Sequence, residues 1–158
     1  MPLTLASTAF QNHGVVPTRH TCDGADVSPA LSWSGVPSGT AALVLIVDDP
    51  DAPGKTWVHW VLFGIPAGAT GLPEGVSKVE APKEVKGALQ GKNDFGRLGY
   101  GGPCPPPGPP HRYFFKLYAI GKPLALRAGA SKRDVERTME GHVLASAELV
   151  ASYARQRS

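Results

Sequence analysis

Residues 41–65 read Ala-Ala-Leu-Val-Leu-Ile-Val-Asp-Asp-Pro-Asp-Ala-Pro-Gly-Lys-Thr-Trp-Val-His-Trp-Val-Leu-Phe-Gly-Ile. The first nine residues are apolar and β-branched up to an acidic pair, at the length of a buried strand. Asp49-Pro50-Asp51-Ala52-Pro53-Gly54-Lys55 then supplies turn residues. Trp57 to Ile65 is a second strand, closed by Pro66. Two adjacent strong strands joined by a short polar turn set the fold class as β-rich.

Working outward, Arg112 to Ile120 (Arg-Tyr-Phe-Phe-Lys-Leu-Tyr-Ala-Ile) is a third strong strand. Weaker strands are expected near Leu3–Ala6 and Leu31–Trp33. Residues 66–110 are rich in Gly, Pro and Lys and read as long loops with short strands. The C-terminus changes character. Ser131-Lys-Arg-Asp134 has the form of a capping box, so a helix is expected to about Glu140, with Gly141 as its stop. Val143, Leu144, Ala147, Val150, Ala151 and Ala154 follow helical spacing and predict a second helix over Val143–Arg155. Strands first and helices last give a mainly β, β-rich α+β chain with short C-terminal helices. With 158 residues, no internal repeat and no linker, residues 1–158 are expected as a single domain.

Composition narrows the function. The 19 glycines and 16 prolines favour turns over long helices. The net charge is only +3, and the densest basic group, Lys132, Arg133 and Arg137, is interleaved with Asp134, Glu136 and Glu140. That is a solvated helix face, so no nucleic-acid partner is expected. No apolar run reaches the ~20 residues of a membrane-spanning helix. No basic start with an apolar segment follows Met1, which makes the cytoplasm the expected compartment. Cys22 and Cys104 fit no metal spacing, and in a reducing cytoplasm they are expected as thiols.

Side chains alternate faces along a strand. Trp57 and His59 therefore share a face, as do His111 and Tyr113, and Asp49 and Asp51 flank a proline at a strand end. Each pair alone has a plain reading: a core histidine, turn aspartates, core aromatics. Together they place chemistry-bearing residues at three strand ends, where one pocket could collect them. Several motifs fail. Gly54-Lys55-Thr56 lacks the first glycine of a P-loop, because position 49 is Asp. Asp94-Phe95-Gly96 stands without any other kinase element, and no Gly-x-Ser-x-Gly elbow is present. His59, His111 and Asp49 could hold iron or zinc; this ranks below a metal-free pocket, and no cofactor is expected.

Asp49-Pro-Asp-Ala-Pro53 with Trp57-Val-His-Trp60, and Gly99-Tyr-Gly-Gly-Pro-Cys-Pro-Pro106 with Pro110-His-Arg-Tyr113, resemble the two signatures of the phosphatidylethanolamine-binding proteins. Thr21-Cys-Asp-Gly24, Ser28-Pro-Ala-Leu-Ser-Trp33, Lys92-Asn-Asp-Phe-Gly96 and Met139-Glu-Gly-His-Val-Leu-Ala145 resemble the bacterial and archaeal, Raf-kinase-inhibitor-like branch. The resemblance spans nearly the whole chain. It implies one largely antiparallel β-sandwich and a small pocket for anions such as a phospholipid headgroup phosphate or a phosphorylated group. On it, Asp49, Asp51, Trp57, His59, Gly102, Pro105, Pro106, His111 and Tyr113 are the ligand-binding residues.

The six prolines in residues 103–110 would make a rigid pocket wall. Gly99, Gly101 and Gly102 would expose N–H donors. The carboxylates would orient and charge the histidines or receive an ammonium group, and Arg112 would be salt-bridged beneath the loop. Cys104 stands where eukaryotic members carry Gly, so headgroup preference does not transfer. No nucleophile with a paired base is evident, so no catalysis is expected. Inhibition of a protein kinase or serine protease through the loop face, and phosphoester hydrolysis using His59 and Asp49, are the rival expectations. The resemblance also allows a homodimer.

Overall fold

The computed structural model describes residues 2–155. Its centre is β4 (Ala42–Asp49), buried at all eight positions. On one face of it, Leu43, Leu45 and Val47 enter the main core; on the other, Ala42, Val44 and Ile46 enter a second one. A strand covered on both sides must be apolar throughout, which is why its sequence shows a continuous run instead of alternation. β4 pairs antiparallel with β5 (Trp57–Pro66) on one side and β8 (His111–Ile120) on the other. β9 (Val143–Tyr153) pairs antiparallel with β8, β2 (Gly14–Val15) runs parallel to β9, and β7 (Leu89–Gln90) edges β5. The result is a six-stranded sheet in the order β2-β9-β8-β4-β5-β7.

A second sheet, β1-β3-β6, is formed by β1 (Thr4–Ala6), β3 (Leu31–Ser34) and β6 (Gly71–Leu72). Leu5, Trp33 and Leu72 from it pack with Leu45, Trp60, Phe115 and Leu117 in the main core. The fold is thus the expected β-rich sandwich. Among the described residues one α-helix, α1 (Lys132–Met139), covers the outer face of the large sheet with Val135 and Met139 buried. Its capping box is present: Asp134 N–H donates to Ser131 Oγ and Ser131 N–H to Asp134 Oδ2. Gly141 beyond its end has φ 82°, the left-handed stop that glycine permits.

Two expectations are corrected. The second helix is absent, and its residues form β9, the longest strand in the chain. The helical spacing of Val143, Leu144, Ala147, Val150, Ala151 and Ala154 competes with a period-two set in the same stretch. Ala145, Ala147, Leu149, Ala151 and Tyr153 all face the main core. β8 would otherwise leave a ten-residue edge of unpaired backbone groups, and β9 satisfies it from His111↔Tyr153 to Ile120↔Val143. Tertiary pairing overrides local spacing here. Secondly, Cys22 and Cys104 are not thiols but a disulfide across 82 residues of sequence. The segments carrying them lie side by side: Cys22 N–H donates to Pro103 O, Tyr100 OH to His20 O, and Gly102 N–H to Asp26 Oδ1. Linear spacing contains no trace of that approach.

Candidate ligand pocket

Strand ends do converge. Asp49 closes β4 and His111 opens the neighbouring β8, so His111 Nδ1 lies 2.7 Å from Asp49 Oδ2. The other carboxylate oxygen accepts the Asp51 N–H at 2.8 Å. Both oxygens of Asp49 are thereby engaged, which leaves His111 Nε2 as the edge free for another partner.

His59 reaches the same place through a β-bulge. Val47 pairs with Trp60, but the next residue, Asp48, pairs with Val58, so His59 is the unpaired extra residue. The parity of β5 changes there: Val58 and Val61 both face the helix side, while Trp60 faces the main core. Without the bulge, Trp57 and His59 would share the helix-side face with Val61; with it, they join Tyr113 on the core side. His59 Nδ1 then meets Gly101 O at 2.6 Å, and Gly101 N–H donates back to His59 O at 2.9 Å. A carbonyl only accepts, so Nδ1 carries the proton.

The pocket has a volume of about 250 Å³, below the usual range for drug-sized ligands. Its wall includes Asp49, Trp57, His59, Pro105, Pro106, His111 and Tyr113, seven of the nine residues expected. Asp51 and Gly102 do not line it. Asp51 is held by Arg112, with Nε at 2.9 Å from Oδ2 and a second terminal nitrogen at 2.9 Å from Oδ1. This fork lowers the Asp51 carboxyl to about 2, chiefly through the Arg112 hydrogen bonds. Arg112 is therefore structural, as expected, but it takes Asp51 with it. The N–H groups of Gly101 and Gly102 are equally spent, on His59 O and Asp26 Oδ1. Neither is a free anion donor.

The donors that remain are side chains. Trp57 Nε1 and Tyr113 OH are buried and have no hydrogen-bond partner. Buried polar groups are overwhelmingly paired, so two unpaired donors among the side chains of one small pocket set it apart. The Tyr113 hydroxyl is pushed up by burial, then by the charges of Asp49 and Asp51, and keeps its proton. For His59 the expectation of a raised pKa is overturned. Burial lowers it, outweighing the Gly101 carbonyl and Asp49. At neutral pH its ring is uncharged, and Nε2 presents a lone pair.

Phe95 also lines the pocket, edge-on to Trp57 at 5.6 Å and to His59 at 5.4 Å between ring centres. Sequence reasoning quoted it and assigned it no role. Ala52, Pro53 and Cys104 complete the wall. The signal for Phe95 was the Asn-Asp-Phe-Gly turn, which presents an aromatic where loops are ordinarily polar. A larger cavity of about 710 Å³ lies by Val16, Pro110 and Tyr153. Its polar groups are matched: Tyr153 OH and Arg155 both bond Asp23. Among the described residues, no group of three or more His, Cys, Asp and Glu could hold a metal ion, and no helix is long and apolar enough to cross a membrane.

Known proteins share this architecture. A UPF0098 protein of Methanothermobacter thermautotrophicus is 54% identical over 153 residues, covering 97% of this chain and 99% of that protein. The crystal structure of Escherichia coli YbcL, described as a member of the mammalian PEBP family, matches with a TM-score of 0.91 at 35% identity. It covers 99% of this chain and 100% of that one. A putative phosphatidylethanolamine-binding protein homolog of Chlamydia trachomatis, CT736, matches at 0.88 and 36% identity, over 98% and 99% of the two chains. The model of the phosphatidylethanolamine-binding protein family matches residues 6–154. On that match and these relatives, the chain belongs to the phosphatidylethanolamine-binding protein family.

Proposed function

We propose that the pocket binds a small phosphate group, free or at the end of a small phosphomonoester, and does no chemistry on it. The observation that carries this reading is the pair of unpartnered buried donors, Trp57 Nε1 and Tyr113 OH, beside His111. Phosphate supplies several acceptor oxygens to such donors. The neutral His59 adds a condition. Its Nε2 is an acceptor, and Asp49 next to it is negative, so a phosphate that still carries one O–H fits better than a dianion. Monoesters lose that proton near pH 6. Binding is therefore stronger at pH 6 than at pH 8.

The make-up of the wall supports the non-catalytic part of this reading. Its only thiol-bearing residue, Cys104, is tied up in the disulfide, and its only hydroxyl is that of Tyr113, held protonated. No activated nucleophile stands beside His59 or His111. Calorimetric titration with inorganic phosphate and phosphoethanolamine tests the reading. Wild type should saturate at millimolar ligand or below, and Trp57→Phe and Tyr113→Phe should each weaken binding about tenfold, the scale of one hydrogen bond to a charged group. Undiminished binding in both variants would place the ligand elsewhere, and release of phosphate from the ester would replace a binding protein with a hydrolase.

A further inference from the structure

Phe95 is the exposed aromatic of the pocket region, at 41% of its surface. Its position is fixed by hydrogen bonds. The buried Asn93 side chain accepts from Phe95 N–H at 2.9 Å and Arg97 N–H at 3.2 Å, and donates to Gly99 O at 2.9 Å. Asp94 is tied to β5 twice, N–H to Val58 O and Oδ2 from Val58 N–H, both at 2.8 Å. Behind the ring, Gly101 leaves no slack: a Cβ there would sit 2.6 Å from the Phe95 ring. The turn that carries the phenyl is thus tied down on both sides, and the ring packs over Gly101.

A second cavity of about 310 Å³ lies beside the pocket, and the two have Phe95 and Cys104 as common walls. Beyond the ring, the second cavity is lined by Leu98 and Tyr100 and carries two cations, Lys78 and Arg97. It offers space for the organic part of a phosphomonoester, and the Phe95 ring and the disulfide-bonded Cys104 stand between it and the phosphate pocket.

We propose that Phe95 is the specificity-determining residue of this site: its ring closes the phosphate pocket toward the second cavity, so that phosphate with a small substituent is accepted and phosphate with a bulky one is refused. The inference rests on the phosphate reading above. Discrimination against added bulk in a fixed pocket ordinarily amounts to ten- to a hundredfold, so the ratio of two ligands is a sensitive readout.

Inorganic phosphate, phosphoethanolamine and phenyl phosphate would be titrated into wild type, Phe95→Ala and Phe95→Leu, each first shown to melt cooperatively. Inorganic phosphate is titrated into each variant as well, and ester affinities are compared only as ratios within one variant. Phenyl phosphate should bind wild type at least tenfold more weakly than phosphoethanolamine, and that gap should close in Phe95→Ala. Phe95→Leu keeps most of the bulk and should close the gap only in part, which gives a reading even if the alanine variant melts poorly. Equal binding of the two esters by wild type overturns the proposal, as does an unchanged ratio in both variants. Failure of inorganic phosphate to bind wild type is a different result: it removes the phosphate reading, and this inference falls with it.

Discussion

Asp48 and Asp49 are neighbours at the end of β4, buried to 1% and 3% exposure, and they face opposite sides of the sheet. On the helix side, Asp48 Oδ2 meets Lys132 Nζ at 2.8 Å and Lys116 Nζ at 3.2 Å. Lys132 is the first residue of α1, so the aspartate pins the helix to the sheet. On the pocket side, Asp49 meets a histidine whose other nitrogen stays free. Residue type and burial are the same; the partner differs. Permanently charged partners, engaged only with the protein's own groups, make a structural tie. A partner with a second working atom makes a site.

The comparison can be broken from either side. The largest effect expected belongs to a structural feature on the rim. Replacing Cys22 and Cys104 by Ser removes a link across 82 residues, and chain entropy predicts a loss of about 4 kcal/mol, read as a lower urea midpoint. Next, Asp48→Ala takes the carboxylate from Lys116 and leaves Lys132 only Glu136, at 4.0 Å. It should cost about 3 kcal/mol in the same assay and leave phosphate affinity unchanged within about twofold. Tyr113→Phe should do the reverse. The hydroxyl is buried without a protein partner, so its removal should stabilise the fold by about 1 kcal/mol while weakening phosphate about tenfold.

The smallest effect concerns His59. Its folded pKa is lowered below 6.5 by burial. The unfolded chain then takes up a proton that the folded chain refuses, so stability is full above about pH 6.5 and falls as the pH drops below it. His59→Asn keeps a donor for Gly101 O and cannot titrate. The difference in urea midpoint between pH 7 and pH 5 should be smaller in it than in wild type.

The sandwich was legible because β4, β5 and β8 carry long apolar and aromatic runs that no turn residue interrupts. β9 was not, because its alanines satisfy helical and strand periods alike, and only the exposed edge of β8 decides between them. The pocket was legible as residue types at strand ends, yet the reason His59 enters it was hidden. A bulge is one residue of register, and register is set by the partner strand. Strict alternation placed Trp57 and His59 together, which is right, but could not tell on which face. That Asp51 and Gly102 lie outside the pocket wall was hidden for a similar reason: Arg112 and Asp26, which bond them, come from other segments. The disulfide was hidden most completely, since it depends on the approach of two loops.

The central claim is that Trp57 presents a free indole N–H to a phosphate guest. The chain offers its own controls, since Trp33 Nε1 is bonded to Ala69 O and Trp60 Nε1 to Gln90 Oε1. In a proton–nitrogen correlation spectrum at pH 6, the three indole resonances would be followed through a titration with inorganic phosphate. The account predicts a saturable downfield shift of the Trp57 indole alone, lost in Tyr113→Phe at the same ligand concentration or displaced to higher concentration. A stationary Trp57 resonance up to tens of millimolar phosphate, or equal drift of all three indoles, would contradict it.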